Sequence, residues 1–153
     1  MLRFTFSPDG SLPKHAPAKY PDVLESNGSF TITVDGRVFF TEPSFPIYEF
    51  LSQANEWMNG GRVPDSMEYA SLETDENPLI CFRRTVDDTF CLESPWAAFK
   101  CDSTFSFKEI CKAVRELNDY IYGHRVLETI VSLLPDDGNL YDSSAFISVS
   151  KKN

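Results

Sequence analysis

The sequence predicts an α+β fold, with an antiparallel β-sheet of about six strands and two or three helices packed on one face. Three observations carry that expectation. Asp35-Gly36 separates two strand-like runs by the two residues that a tight hairpin needs. Two further short turns link strand-like runs between Met67 and Glu93 into a meander. Two segments, after Pro46 and after Phe105, carry apolar residues at helical spacing. Neighbouring strands with short turns favour antiparallel pairing, and one-sided helices favour a layer over the sheet.

Leu2, Phe4 and Phe6 alternate with Arg3, Thr5 and Ser7, which reads as a half-buried first strand. Ser7-Pro8-Asp9-Gly10 stops it. Residues 8–28 hold four prolines with little periodicity and read as a connecting loop, with one short turn of structure near 20–24. Asn27-Gly28-Ser29 fits the glycosylation pattern, but reads more simply as a turn entering a strand.

Asp-Gly supplies the positive φ angles of a type I′ turn. Simple alternation about that turn places Phe30, Ile32 and Val34 on one face with Arg37, Phe39 and Thr41. The other face then holds Ser29, Thr31 and Thr33 with Val38, Phe40 and Glu42. Pro43-Ser44-Phe45-Pro46 is expected to close the strand and open a helix. Ile47, Phe50, Leu51, Ala54, Trp57 and Met58 make the apolar stripe of that helix, and Asn59-Gly60-Gly61 ends it.

The meander strands are expected over 67–73, 79–84 and 90–93, with turns at 74–78 and 85–89. Trp96 to Phe99 reads either as a further short strand or as a cover over one end of the core. Ser106-Phe107-Lys108-Glu109 fits the capping box, with Phe105 and Ile110 as its hydrophobic staple. Phe107, Ile110, Cys111, Val114, Leu117 and Ile121 form the buried stripe of the following helix. Gly123 either stops or weakens it, 126–134 reads as a further helix, and 145–149 as a strand or a tail.

Length favours one domain over residues 1–153, with a possible flexible loop at 8–28 and a tail at 135–153. The chain is 42% hydrophobic with 13 Phe, too apolar for intrinsic disorder. No run approaches a membrane span, and the first residues lack the apolar core of a secretory signal, so the expected compartment is the cytoplasm. Cys81, Cys91, Cys101 and Cys111 are evenly spaced, but none of the spacings brings two ligands close as C-x-x-C does. Free buried thiols are the expectation, with neither metal nor cofactor.

No phosphate loop, dinucleotide fingerprint or zinc-protease motif is present in the sequence. A net charge of -9, from 23 acidic against 14 basic residues, suits a basic partner. Scattered basic residues disfavour nucleic acid. The expected partner-binding residues are Glu68, Glu73, Asp75, Glu76, Asp87, Asp88 and Glu93, strung along the meander and its turns.

Ile47-Tyr48-Glu49-Phe50-Leu51 through Trp57, then Leu79-Ile80-Cys81-Phe82 and Cys91-Leu92-Glu93-Ser94-Pro95-Trp96, give a layout over roughly residues 20–122. In element order, size and acidity it resembles small bacterial immunity proteins, the antidotes of contact-dependent or polymorphic toxins. The resemblance implies a non-catalytic protein that neutralises a cognate toxin, possibly a basic nuclease domain, by binding it. Two other classes stay open. One is a small enzyme with dispersed residues such as Cys111, His124, Tyr69 or Glu68. The other is a subunit or scaffold of a larger assembly, with Phe40 or Trp96 in an exposed apolar patch.

Overall fold

The computed structural model describes residues 1–9, 27–60 and 62–133, with side chains to residue 123. It is α+β and antiparallel, with seven strands among the described residues in two sheets rather than about six in one. Strands β1 (Leu2–Pro8), β2 (Asn27–Val34) and β3 (Arg37–Pro46) form a three-stranded sheet in that order. Helix α1 (Ile47–Met58) follows directly. Strands β4 (Met67–Tyr69), β5 (Ile80–Arg84), β6 (Thr89–Glu93) and β7 (Thr104–Ser106) form a four-stranded meander. Helix α2 (Phe107–Leu133) closes the described fold. Helix α1 lies between the two sheets in chain order. The carbonyl of Phe39 in β3 accepts from the N–H of Ala98, in the connection between β6 and β7.

The first strand follows its alternation, with Leu2, Phe4 and Phe6 buried and Arg3, Thr5 and Ser7 exposed. The Asp-Gly hairpin forms as expected, with φ of 50° at Asp35 and 79° at Gly36. The faces of β3 do not follow the alternation. A register shift between Ile32 and Thr33 leaves Phe39 without a Cα partner, so Ile32 pairs with Phe40 and Thr31 with Thr41. This β-bulge moves Phe40 to the core face and Thr41 to the outer face, the reverse of the expectation. Phe39 is buried as well, its ring edge-on to Phe99 at 5.6 Å.

Three more expectations are corrected. Pro43 to Pro46 continues β3 rather than ending it, with Phe45 opposite Gly28 and Pro46 opposite Asn27. Asn27 and Gly28 are strand residues, not a turn, and residues 8, 27 and 28 belong to paired strands instead of a loop. The β4 strand stops at Tyr69, because the backbone of Ala70 pairs with the Gln53 side chain of α1 through both its N–H (3.3 Å) and C=O (2.9 Å). Helix α1 ends at Asn59 as expected, with φ -86° at that residue.

The capping box forms in full. The Glu109 N–H donates to Ser106 Oγ (3.2 Å), and Glu109 Oε2 accepts from the Ser106 N–H (2.8 Å). Staple residues Phe105 and Ile110 are both buried. The helix then runs through Gly123 to Leu133 as one element, so Gly123 does not stop it and 126–133 is no separate helix. Trp96 to Phe99 is a cover, not a strand, with Trp96 stacked parallel to Phe40 at 6.4 Å. The short turn near 20–24, the strand or tail at 145–149 and the tail at 135–153 lie outside the described residues.

Both sheets turn their apolar faces to one shared core. Phe30 stacks on Phe45 at 4.4 Å, and Phe4 reaches Phe82 of the other sheet at 6.2 Å. Each fully buried ring contributes about 1.5–3 kcal/mol by removal from water. Asn55 of α1 and Asn118 of α2 exchange amide hydrogen bonds at 2.8 and 3.2 Å, joining the helices above the core.

Candidate functional site on the four-stranded sheet

Period-two alternation gives this sheet its two faces. Met67, Tyr69, Ile80, Phe82, Phe90, Leu92 and Phe105 are buried inward. Outward, register sets Glu68, Cys81 and Glu93 side by side across β4, β5 and β6. The next row is Arg83, Cys91 and Thr104. Arg83 lies diagonal to Glu93 and donates to its Oε2 from Nε (3.1 Å) and Nη2 (2.8 Å). This guanidinium holds the Glu93 carboxyl below the usual carboxylate range. Burial pushes the Cys81 thiol up; Arg83 pulls it back, and Glu93 and Glu68 push it further.

The β5–β6 turn closes on a second arginine. Arg84 donates to Asp88 Oδ1 from Nη2 (2.6 Å) and Nε (3.1 Å), and Asp65 stands 3.7 Å from its Nη1. Asp88 takes the left-handed conformation with φ 57°, a geometry aspartate tolerates better than most residues. Val86 beside it is 99% exposed.

At the opposite end of β5, the β4–β5 connection carries Glu73, Asp75 and Glu76, all exposed. Local side chains shape it. The Glu73 N–H donates to Ser71 Oγ (3.1 Å) and the Glu76 N–H to Thr74 Oγ1 (3.2 Å). Helix α1 anchors its base. Glu49 Oε1 accepts from the Leu72 N–H and from the Tyr69 hydroxyl, each at 3.1 Å.

The seven expected residues therefore fall into three places. Glu73, Asp75 and Glu76 sit at one end of β5, Asp87 and Asp88 at the other, and Glu68 and Glu93 lie between them on the outer face. They do not form one continuous anionic area, because Arg83 and Arg84 stand among them. Glu93 and Asp88 are in ion pairs. The other five form none among the described residues.

The apolar stripe of α1 does not single out Glu49 and Gln53. Their signal was present: two polar residues four apart beside the apolar stripe of α1, on a side that had to face something polar. Nor does the sequence pattern show a groove of about 550 Å³. Phe39, Cys91, Glu93, Ala97, Phe99 and Cys101 line it. Phe39, the bulged residue of β3, forms one wall of it, and simple alternation does not place that residue.

Of the residues suggested for a dispersed active site, Glu68 and Tyr69 are held apart. Glu68 and Tyr69 point to opposite faces of β4, and Tyr69 is fully buried with its hydroxyl ionisation pushed up by burial. Cys111 is buried in α2, which raises its thiol pKa in spite of Arg115. The side chain of His124 lies outside the described residues. Phe40 is buried, which removes it from an exposed patch; Trp96 is 41% exposed. Among the described residues, no three His, Cys, Asp or Glu side chains group as a metal centre would require. No helix there is long and apolar enough to cross a membrane.

Comparison with curated proteins and with solved structures finds no match to this chain. Residues 2–122, which hold both sheets and the capped start of α2, match the family described as Domain of unknown function (DUF7878), and the chain belongs to that family.

Proposed function

We propose that this chain is a non-catalytic protein-binding module, of the immunity type, that docks a basic protein partner through the acidic end of the four-stranded sheet. One observation carries the reading. Glu68, Glu73, Asp75, Glu76 and Asp87 are exposed and form no ion pair among the described residues, while Asp88 and Glu93 are held by arginines. Unpaired surface carboxylates cost little in the free protein and gain when a cationic surface arrives. Their field extends about 8–10 Å at physiological salt, enough to steer encounter but not to hold a complex. Leu72, 67% exposed beside Glu73, supplies apolar contact at the same place. A toxin with a cationic cleft is the partner class that fits this charge.

The test begins with the basic protein recovered by the tagged chain from its native cells. Charge reversal of Glu73, Asp75 and Glu76 to Lys should slow its association at low salt by about tenfold or more and flatten the salt dependence. Reversal of Asp87 and Asp88 should act in the same direction with smaller effect, since Asp88 already has Arg84. An association rate untouched by either set, at low salt, overturns the reading.

A further inference from the structure

The β4–β5 connection leaves its sheet at Tyr69 and returns at Leu79, where the Leu79 N–H donates to the Tyr69 carbonyl at 2.8 Å. Just past this neck, Gln53 of α1 pairs with Ala70 as a neighbouring strand would. Its Oε1 accepts from the Ala70 N–H at 3.3 Å, and its Nε2 donates to the Ala70 carbonyl at 2.9 Å. One helical turn earlier, buried Glu49 accepts the Leu72 N–H at 3.1 Å. Glu49 and Gln53 are four residues apart, so both side chains leave one face of α1. The Glu73 N–H donates to Ser71 Oγ at 3.1 Å. The backbone from Tyr69 to Glu73 is therefore held along its length, mostly from the helix. The Leu72 side chain is turned the other way, 67% exposed, among the exposed carboxylates of Glu73, Asp75 and Glu76.

We infer that Gln53 and Glu49 are positioning residues for recognition, and that the side chain they position is Leu72. Leu72 is the anchor that enters an apolar pocket on the partner, and lysine or arginine rims that pocket. The rim chemistry follows from the carboxylates of Glu73, Asp75 and Glu76, which need cations opposite them wherever Leu72 is buried. The carboxylates act at long range and set how fast the partner arrives. The leucine acts only in contact and sets how slowly it leaves. Holding the backbone beforehand removes the cost of ordering it in the complex. The inference rests on the docking proposal, and the two separate by rate constant.

Amide hydrogen exchange on the free chain tests the positioning without a partner. The Ala70 and Leu72 amides should be protected, and Gln53→Ala should speed their exchange by about tenfold or more while the β5 amides keep theirs. Binding kinetics with the basic protein recovered by the tagged chain test the anchor. Leu72 lies outside the core. Leu72→Ala should therefore leave the fold intact and speed dissociation by about tenfold or more, with association and its salt dependence unchanged. Gln53→Ala should weaken binding by about threefold or more, and that loss should vanish in the Leu72→Ala background, because Gln53 acts through Leu72. A loss that persists there, or exchange that Gln53→Ala leaves unchanged, overturns the positioning. Native dissociation in Leu72→Ala overturns the anchor; if charge reversal of Glu73, Asp75 and Glu76 still slows association, docking stands without it. If that reversal also leaves association unchanged, both readings fall.

Discussion

The two sheets bury equally apolar inner faces and differ in their outer surfaces. On the three-stranded sheet, register lines up Thr5, Thr31 and Thr41 in one row, with Arg3, Thr33 and Val38 in the next. Its polar groups there are mostly hydroxyls, and Thr31 and Thr41 hydrogen-bond each other at 3.1 Å. On the four-stranded sheet the corresponding rows carry Glu68, Cys81 and Glu93, then Arg83, Cys91 and Thr104. One surface is close to neutral and satisfies itself. The other holds charges of both signs, some paired and some not. The fold needs only the inner faces, which are equally apolar in both sheets. The difference outside is therefore free to serve recognition, and it places the charge-dependent properties of the molecule on one side.

The comparison predicts first that the inner faces are equivalent. Phe30 and Phe82 are each fully buried, one in each sheet. Truncation of either to Ala should cost about 3–5 kcal/mol, since both lose ring burial and leave a cavity. Urea unfolding of the two variants measures this. A cost confined to one of them would show that one sheet carries the core and the other merely decorates it.

A smaller effect distinguishes the sheets by their close approach. Gly28 sits between β1 and β3, and a Cβ there would stand 2.3 Å from the backbone oxygen of Ser7 and 2.6 Å from the Phe6 ring. Backbone cannot move aside as a long side chain can. Gly28→Ala should destabilise by about 2–3 kcal/mol. The glycine is thus a packing requirement of the three-stranded sheet, and its φ is ordinary. An unchanged midpoint in urea would mean that β1 can detach from β2 at this end without loss, so that the hydroxyl surface is not a fixed one.

Much of this was legible in the chain itself, for physical reasons that differ by element. Leu2, Phe4 and Phe6 declare a strand because period two has one interpretation over so short a run. Asp35-Gly36 and Ser106 to Glu109 declare their turn and cap because local hydrogen bonding and φ preference settle them without distant partners. What sequence alternation could not supply is the consequence of one inserted residue. Phe39 reverses the faces of Phe40 and Thr41, and a second register shift between Phe30 and Gly28 follows it along β3. The sequence leaves two outcomes open at Gly123, and the single long α2 is one of them. Gly123 costs only about 1 kcal/mol in a helix, which neighbouring turns overcome. In the candidate site, the positions of the acidic turns at the two ends of β5 were readable from the meander. Their separation by Arg83 and Arg84 was not, because diagonal pairing depends on register. Nor was the inward role of Glu49, which a helical wheel leaves beside the apolar stripe with no sign of what it meets.

The smallest effects bear on the outer faces themselves. Thr31→Val should change stability by less than about 0.5 kcal/mol, and by the same amount at every pH, because no titrating group takes part. Glu93→Gln removes an exposed ion pair and should be similarly mild at neutral pH. The two diverge in acid. The Glu93 carboxyl is depressed below its ordinary value of 4.5 by the Arg83 hydrogen bonds. A group depressed on folding contributes stability above its unfolded pKa and loses it as pH falls through the folded one. The native chain should therefore lose this increment progressively below about pH 4.5, and Glu93→Gln should lose less over the same interval. Glu109, depressed by the Ser106 backbone and side chain, adds a loss of the same sign that both variants retain. Denaturant midpoints between pH 3 and 7 for the native chain, Thr31→Val and Glu93→Gln separate these contributions. If Glu93→Gln follows the native acid profile, the Arg83–Glu93 pair is too loosely held to matter. The four-stranded face would then present Glu93 to a partner as freely as it presents Glu68.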